Sequence, residues 1–246
     1  MYVPGLQEIA IRLRNRVTGG LAIPRPRYIN SVAGTADVTH FLESGRHCFQ
    51  AIEEMLRANG ADPRAIGDVL EFGCGSGRLL RHWTPSEGVR LHGTDYNPDL
   101  ISWCERHFTH GRFAVNPLDG PMPYPDTSFD FGYAWSVFTH LSEELGDHWI
   151  SELARVLRPG GLLLTTFHGE FYMSFLSRPE QRAFAAGEIV VHRPGHSGSN
   201  VCAAFHPAGA VREKFASRFD LVDFVAGRPP HLEQDRYLWR KRPDRL

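Results

Sequence analysis

Glycine recurs at alternate positions in Val69-Leu70-Glu71-Phe72-Gly73-Cys74-Gly75-Ser76-Gly77, directly after an apolar run. This is the pattern of a strand entering a tight turn. Glycine there admits turn conformations closed to other residues and lets the backbone approach a ligand closely. A helix starting after the turn would offer free N–H groups to a polar or anionic part of that ligand. The chemistry this supports is the holding of a nucleotide-like cofactor, and the spacing narrows which one. A dinucleotide fingerprint asks for G-x-G-x-x-G/A, but its third position here is Arg78, whose side chain would obstruct close helix–strand packing. No Gly-Lys-Ser/Thr follows, so the P-loop pattern is absent as well.

Other reactive or polar residues fall at the ends of apolar runs. Asp95 closes Arg90–Thr94 and Tyr96 follows it. Asn116 closes Arg112–Val115, and Ser136 closes Phe129–Ser136. His140 (FTHLSEE) follows the run 129–136 and His168 (TTFHGE) the run 162–167, and imidazole titrates in the range a general base needs. The alternatives for both are ordinary loop histidines or a cofactor contact without proton transfer. Glu71 lies inside the first run, where a carboxylate is costly unless paired. Its structural reading is a bond to backbone N–H groups of the glycine turn. Cys74 reads as a small filler whose backbone does the binding rather than as a reactive thiol. No G-x-S-x-G nucleophile elbow is present. Of the 13 histidines, His192, His196 and His206 could be imagined as a ligand set. Pro194 and Gly195 deny the first two a helix that would align their rings, so no metal is expected.

The elements that must position these residues alternate. Strands are predicted over 68–72, 90–94, 112–115, 129–136 and 162–167. Helices are predicted over about 77–83, 98–107 and 142–157, the last broken by Arg158-Pro159-Gly160-Gly161. Such alternation implies a mostly parallel sheet covered on both faces. In such sheets ligands bind beyond the carboxyl ends of the strands, where the strand order reverses. That crevice would lie between strands one and four, and Gly73, Gly75, Gly77, Asp95, Asn116 and Ser136 all sit at predicted carboxyl ends. Residues 170–200 show no clear period and read as an insertion over the ligand face. A helix is expected over 207–219 and strands over 221–226 and 236–239.

E-x-G-x-G-x-G resembles the pattern of class I S-adenosylmethionine-dependent methyltransferases. PMPYPDTSFDFGYAWSVFTHLSEE is similar to that family's loop and fourth strand, and ARVLRPGGLLLTTFHG to its helix and fifth strand. The resemblance covers about residues 65–168 and is nearest to the small-molecule, type 11/12 group. It implies a Rossmann-like α/β fold with a seven-stranded, mostly parallel sheet and S-adenosylmethionine as cofactor. By this resemblance Glu71 either keeps its structural role or helps place the cofactor's amino group, Asp95 binds the ribose hydroxyls, Tyr96 packs on adenine, and Asn116, standing where many relatives carry an acid, contacts the adenine amino edge or only caps its loop. The implied activity is methyl transfer to O, N or C of a small-molecule acceptor. The alternatives are a catalytically silent cofactor-binding protein and a protein methyltransferase.

Residues 1–60 read as an N-terminal helical cap, with Leu6, Ile9, Ala10, Leu13 and Val17 on one helical face. A connector follows at Pro24 and Pro26, then a second helix over 37–59. Residues 61–246 read as the methyltransferase-like domain. The 246 residues suffice for a sizeable core, and 27 Lys+Arg against 28 Asp+Glu leave a net charge of −1. No basic field is available for nucleic acid or anionic lipid, and no apolar stretch approaches a membrane span. No signal-peptide core is legible and the four cysteines form no CxxC pair, so a cytoplasmic setting is expected. The oligomeric state is not legible.

Overall fold

The computed structural model describes residues 21–83, 86, 88–228 and 233–243; the helix expected over 6–17 lies outside them. Pro26 does not belong to a connector. It opens helix α1 (Pro26–Ala33), where its fixed φ suits the first helical position and its missing N–H costs nothing. Helix α2 (Val38–Ala58) begins at Asp37, whose carboxylate accepts from the N–H of Thr39 and His40 at 2.7 and 3.2 Å. Its buried stripe contains Phe41, Cys48, Ile52, Met55 and Leu56, as the helical spacing predicts.

The strands are β1 (Gly67–Phe72), β2 (Val89–Asp95), β3 (Gly111–Val115), β4 (Phe129–Ala134), β5 (Leu157–Phe167), β6 (Val190–His192), β7 (Ala203–Phe205), β8 (Phe219–Val225) and β9 (Asp235–Lys241). The main sheet has seven strands in the order β3-β2-β1-β4-β5-β9-β8. β1 to β5 run parallel, while β9 runs antiparallel to both β5 and β8. From β1 the chain moves outward through β2 to β3, then returns to β4 on the other side. The strand order therefore reverses between β1 and β4, and a crevice opens at their carboxyl ends.

Side-chain alternation along the strands divides the core. Val69, Phe131, Tyr133, Leu164 and Leu238 face α2 and helix α3 (Pro98–His107). Leu70, Phe72, Phe129, Leu163, Tyr237 and Trp239 face helices α4 (Glu143–Val156) and α6 (Ala208–Phe215). At the amino end of the strands, Arg90 and Arg158 both reach Asp68, and Arg158 also binds Asp130.

Three local expectations change. The helix expected over 77–83 is a series of turns with a single 3-10 turn at Leu80–His82. Gly77 has φ of 71°, which a right-handed helix cannot include, and the Phe108 ring fills the space where its Cβ would stand. Arg158-Pro159-Gly160-Gly161 ends α4 but belongs to β5, as an irregularity between the Phe129–Leu157 and Phe131–Leu162 pairs. The aperiodic stretch 170–200 holds a 3-10 segment (Glu170–Phe175), helix α5 (Arg178–Ala185) and the strand β6, which pairs with β7.

Candidate active site

A cleft of about 360 Å³ opens at the carboxyl ends of β1, β2 and β4. The turn after β1 forms its floor. Gly73 and Gly75 line it, and Gly75 has φ of 56° with Val32 of α1 against it: a Cβ there would come within 2.6 Å of a Val32 methyl. Gly77 does not line the cleft; it packs on Phe108 behind the turn. Cys74 lines it, but burial and the neighbouring Cys104 hold its thiol pKa well above the ordinary value, so the thiol is inert there.

Asp95 closes β2 and organises the turn. Its Oδ2 accepts from the Gly75 N–H and its Oδ1 from the Asn97 N–H, both at 2.9 Å. Burial raises its pKa, and these two donors oppose the rise. Each oxygen keeps lone-pair capacity for a further donor, such as a hydroxyl. Tyr96 beside it is exposed along the cleft wall. Asn116 is buried, with Nδ2 donating to the Pro117 carbonyl at 2.8 Å, while its Oδ1 is buried without a partner.

Glu71 also lines the cleft. Its Oε2 accepts from Tyr133 Oη at 2.9 Å, and Tyr133 in turn accepts from Trp83 Nε1 at 3.0 Å. Burial pushes the Glu71 pKa up to about 8 against this hydrogen bond, so the carboxyl holds its proton at neutral pH. Arg78 turns into the same cleft. Its Nε is buried and unpartnered, while Nη1 contacts Ser44 Oγ at 3.4 Å and Cys48 Sγ at 3.7 Å.

Ser136 lines the opposite wall with φ of 57°, a left-handed conformation uncommon for a non-glycine residue. Its N–H donates to Thr166 Oγ1 at 2.8 Å, and its hydroxyl lies 3.0 Å from Gln234 Oε1. His140 lines the cleft too. Its Nδ1 lies 2.7 Å from the Cys202 carbonyl, which can only accept, so Nδ1 carries the hydrogen and Nε2 is left with a free lone pair. Burial depresses its pKa, which keeps the ring neutral.

His168 is not brought to this cleft. It is half-buried, its ring centroid 6.3 Å from that of His140 and 4.1 Å from that of Tyr172. Desolvation lowers its pKa to about 4. His192 contacts Glu180 at 2.9 Å, and among the described residues no group of three His, Cys, Asp or Glu side chains could hold a metal ion.

Several lining residues carried no usable sequence signal. Val32 and Ser31 come from α1, and Gly198, Ser199 and Asn200 from the loop between β6 and β7. That loop is tied down by the Gly198 N–H donating to the His140 carbonyl at 2.7 Å and the Ser142 N–H donating to Ser197 Oγ at 2.8 Å. Arg78 was legible only as an obstacle to a dinucleotide.

These groups fit S-adenosylmethionine. The orphaned Asn116 Oδ1 suits an adenine amino group, Asp95 the ribose hydroxyls, and the unpartnered Arg78 Nε a carboxylate. Residues 69–161 match the family model described as a methyltransferase domain. The match covers less than half of the chain and shows that this segment is similar to a methyltransferase domain. Among curated proteins, the chain is similar to the fatty-acid O-methyltransferase of Mycolicibacterium smegmatis, 38% identical over 40% of this chain and 36% of that one. It is also similar to the 27-O-demethylrifamycin SV methyltransferase of Amycolatopsis mediterranei, 31% identical over 44% of this chain and 41% of that one. The chain thus spans less than half the length of either relative. In fold it resembles the 1,6-didemethyltoxoflavin-N1-methyltransferase of Burkholderia thailandensis, solved with 1,6-didemethyltoxoflavin and S-adenosylhomocysteine. The TM-score is 0.60 at 17% identity, covering 99% of this chain and 92% of that one.

Proposed function

We propose that this protein transfers the methyl group of S-adenosylmethionine to a small-molecule acceptor, by in-line displacement at sulfur. The observation that carries this reading is the convergence of unsatisfied buried groups, Asn116 Oδ1 and Arg78 Nε, with Asp95 and Glu71 on one cleft. Bound there, S-adenosylmethionine supplies a methyl group already activated as a sulfonium, so the protein's task is chiefly positioning, worth roughly 7–11 kcal/mol.

The chain's own residues divide that task. Asp95, Tyr96 and Asn116 orient the nucleoside end, with the backbone of Gly73, Cys74 and Gly75 beneath it. Glu71 and Arg78 take the amino-acid end. Ser136 and His140 stand on the wall that faces the acceptor. His140 Nε2, neutral and with a free lone pair, accepts a proton from an acceptor hydroxyl or amine as the methyl arrives. His168, away from the cleft, shapes the wall behind His140 rather than moving a proton.

The compounds named for the similar proteins, a fatty acid, 27-O-demethylrifamycin SV and 1,6-didemethyltoxoflavin, support a small-molecule acceptor. Near-neutral net charge and four unpaired cysteines support a reducing, cytoplasmic setting. No described helix is long and apolar enough to cross a membrane. The test is incubation with methyl-labelled S-adenosylmethionine and a size-fractionated cell extract. Label is expected in the small-molecule fraction; label in protein or nucleic acid would overturn the acceptor class.

A further inference from the structure

On the methyltransferase reading above, we propose that Arg236 is the recognition site for a carboxylate on the methyl acceptor, flanked by Thr166, Gln234 and Ser136. Arg236 lies on β9 directly opposite Thr166 of β5. Along β9, Leu238 packs in the core beneath α2, while Tyr237 and Trp239 pack on the other face. Alternation therefore sends Arg236 out of the sheet on the α2 side, the side that also carries Glu71 and Tyr133.

There the guanidinium is half buried, and its Nη1 is fully buried without a hydrogen-bond partner. Among the described residues it forms no ion pair. Glu54 on α2 is exposed and exerts only a through-space effect. Asp235, its neighbour in sequence, points to the other face of the strand, and its Oδ1 accepts from the Gly227 N–H at 2.8 Å. A cation withdrawn from water without a counter-ion is costly. The planar fork of a guanidinium is matched by the two oxygens of a carboxylate.

A continuous polar chain leads from this position to the cleft. Thr166 Oγ1 lies 2.6 Å from Gln234 Oε1, and Gln234 Nε2 donates to Ser136 Oγ at 2.8 Å. Ser136 lines the cofactor cleft, on the wall that also carries His140. Arg78 Nη1 lies 3.7 Å from the Cys48 sulfur of α2. Arg78 faces the cofactor's amino-acid end, which leaves Arg236 for a second anion on the acceptor side. One guanidinium among neutral hydroxyl and amide groups, with Glu54 and Asp235 nearby, matches a monoanion and undercompensates a phosphate dianion.

The test is calorimetric titration of the full chain saturated with S-adenosylhomocysteine. The probes are straight-chain monocarboxylates from acetate to dodecanoate, each beside its primary amide. At least one acid is expected to bind about tenfold tighter than its amide. Arg236→Gln is expected to abolish that preference and leave S-adenosylhomocysteine affinity unchanged, and Arg236→Lys to retain part of it. Should the glutamine variant fail to fold, the lysine variant carries the same comparison. Equal binding of acids and amides by the wild type, no binding of any acid, or a preference that survives loss of the guanidinium would overturn the carboxylate site. If S-adenosylhomocysteine binds and no acid is preferred, only this proposal fails. If S-adenosylhomocysteine itself does not bind, the methyltransferase reading fails and the proposal falls with it.

Discussion

The side-chain amide of Asn200 donates to the backbone carbonyl of Ser31 at 3.0 Å, joining two segments 169 positions apart in the chain. Both residues line the cofactor cleft, Ser31 from α1 and Asn200 from the β6–β7 loop. Gly198 of the same loop lies against Leu118 and Tyr96, so the loop rests on the end of the cleft proposed for the nucleoside. The clasp is exposed, and an exposed hydrogen bond contributes about 0.5–1.5 kcal/mol. Asn200→Ala should therefore speed dissociation of S-adenosylhomocysteine by about two- to tenfold. Stopped-flow displacement measures this; an unchanged off-rate would mean that the clasp does not retain the cofactor.

Asp95 anchors the glycine turn, and in the proposed function it anchors the cofactor as well. Asp95→Ala should weaken S-adenosylhomocysteine binding by on the order of 1.5–3 kcal/mol, through lost charge-assisted bonds to the ribose and a loosened Gly75 backbone. Calorimetry on the folded variant reads this out. Undiminished affinity would remove Asp95 from the site.

Glu71 makes binding and stability depend on pH in opposite senses. Its folded pKa of about 8 exceeds the ordinary 4.5, so between these values the folded state holds a proton that the unfolded state has released. Its contribution to stability is therefore intact below about pH 4.5, declines as pH rises, and is lost once pH passes 8. Glu71→Gln should flatten that decline in thermal melts. A cationic amino group brought beside Glu71 favours the ionised form, so S-adenosylhomocysteine binding at pH 7 should release a proton. Titrations in buffers of different ionisation enthalpy detect it. Binding without proton release would place the amino group elsewhere.

The two histidines separate by position. His140→Ala should leave cofactor affinity intact and lower turnover by on the order of 10²–10⁴. Wild-type turnover should be level above pH 6.5 and fall only in more acid solution, because burial depresses the His140 pKa and the neutral ring is the active form. His168→Ala should act on stability, since the ring packs against Tyr172 and Phe205. Equal turnover losses in both variants, with both folds intact, would contradict the assignment of His140.

Much of this was legible because periodicity and turn chemistry act locally. The stripe of α2, the Pro98–His107 helix and the five parallel strands follow from side-chain alternation, and the residues at their carboxyl ends converge because the fold places those ends on one edge. What escaped depends on contacts between distant segments. A helix after Gly77 satisfies local propensity, yet the Phe108 ring and a positive φ at Gly77 exclude it. His168 ends a strand like the other site residues but is covered by β7, with which it forms a bridge to Phe205. The roof over the cleft comes from α1 and an aperiodic loop, and its hydrogen bonds use backbone groups that leave no trace in residue type. Arg236 reads as one more strand-edge cation until its burial beneath α2 is seen.

The most direct measurement is calorimetric titration of the folded protein with S-adenosylhomocysteine, beside NAD and ATP as competitors for a glycine-turn cleft. Saturable one-to-one binding of S-adenosylhomocysteine, absent for the other two and weakened by Asp95→Ala, is the result predicted. No binding of S-adenosylhomocysteine by protein that melts cooperatively, or tighter binding of NAD or ATP, would contradict it.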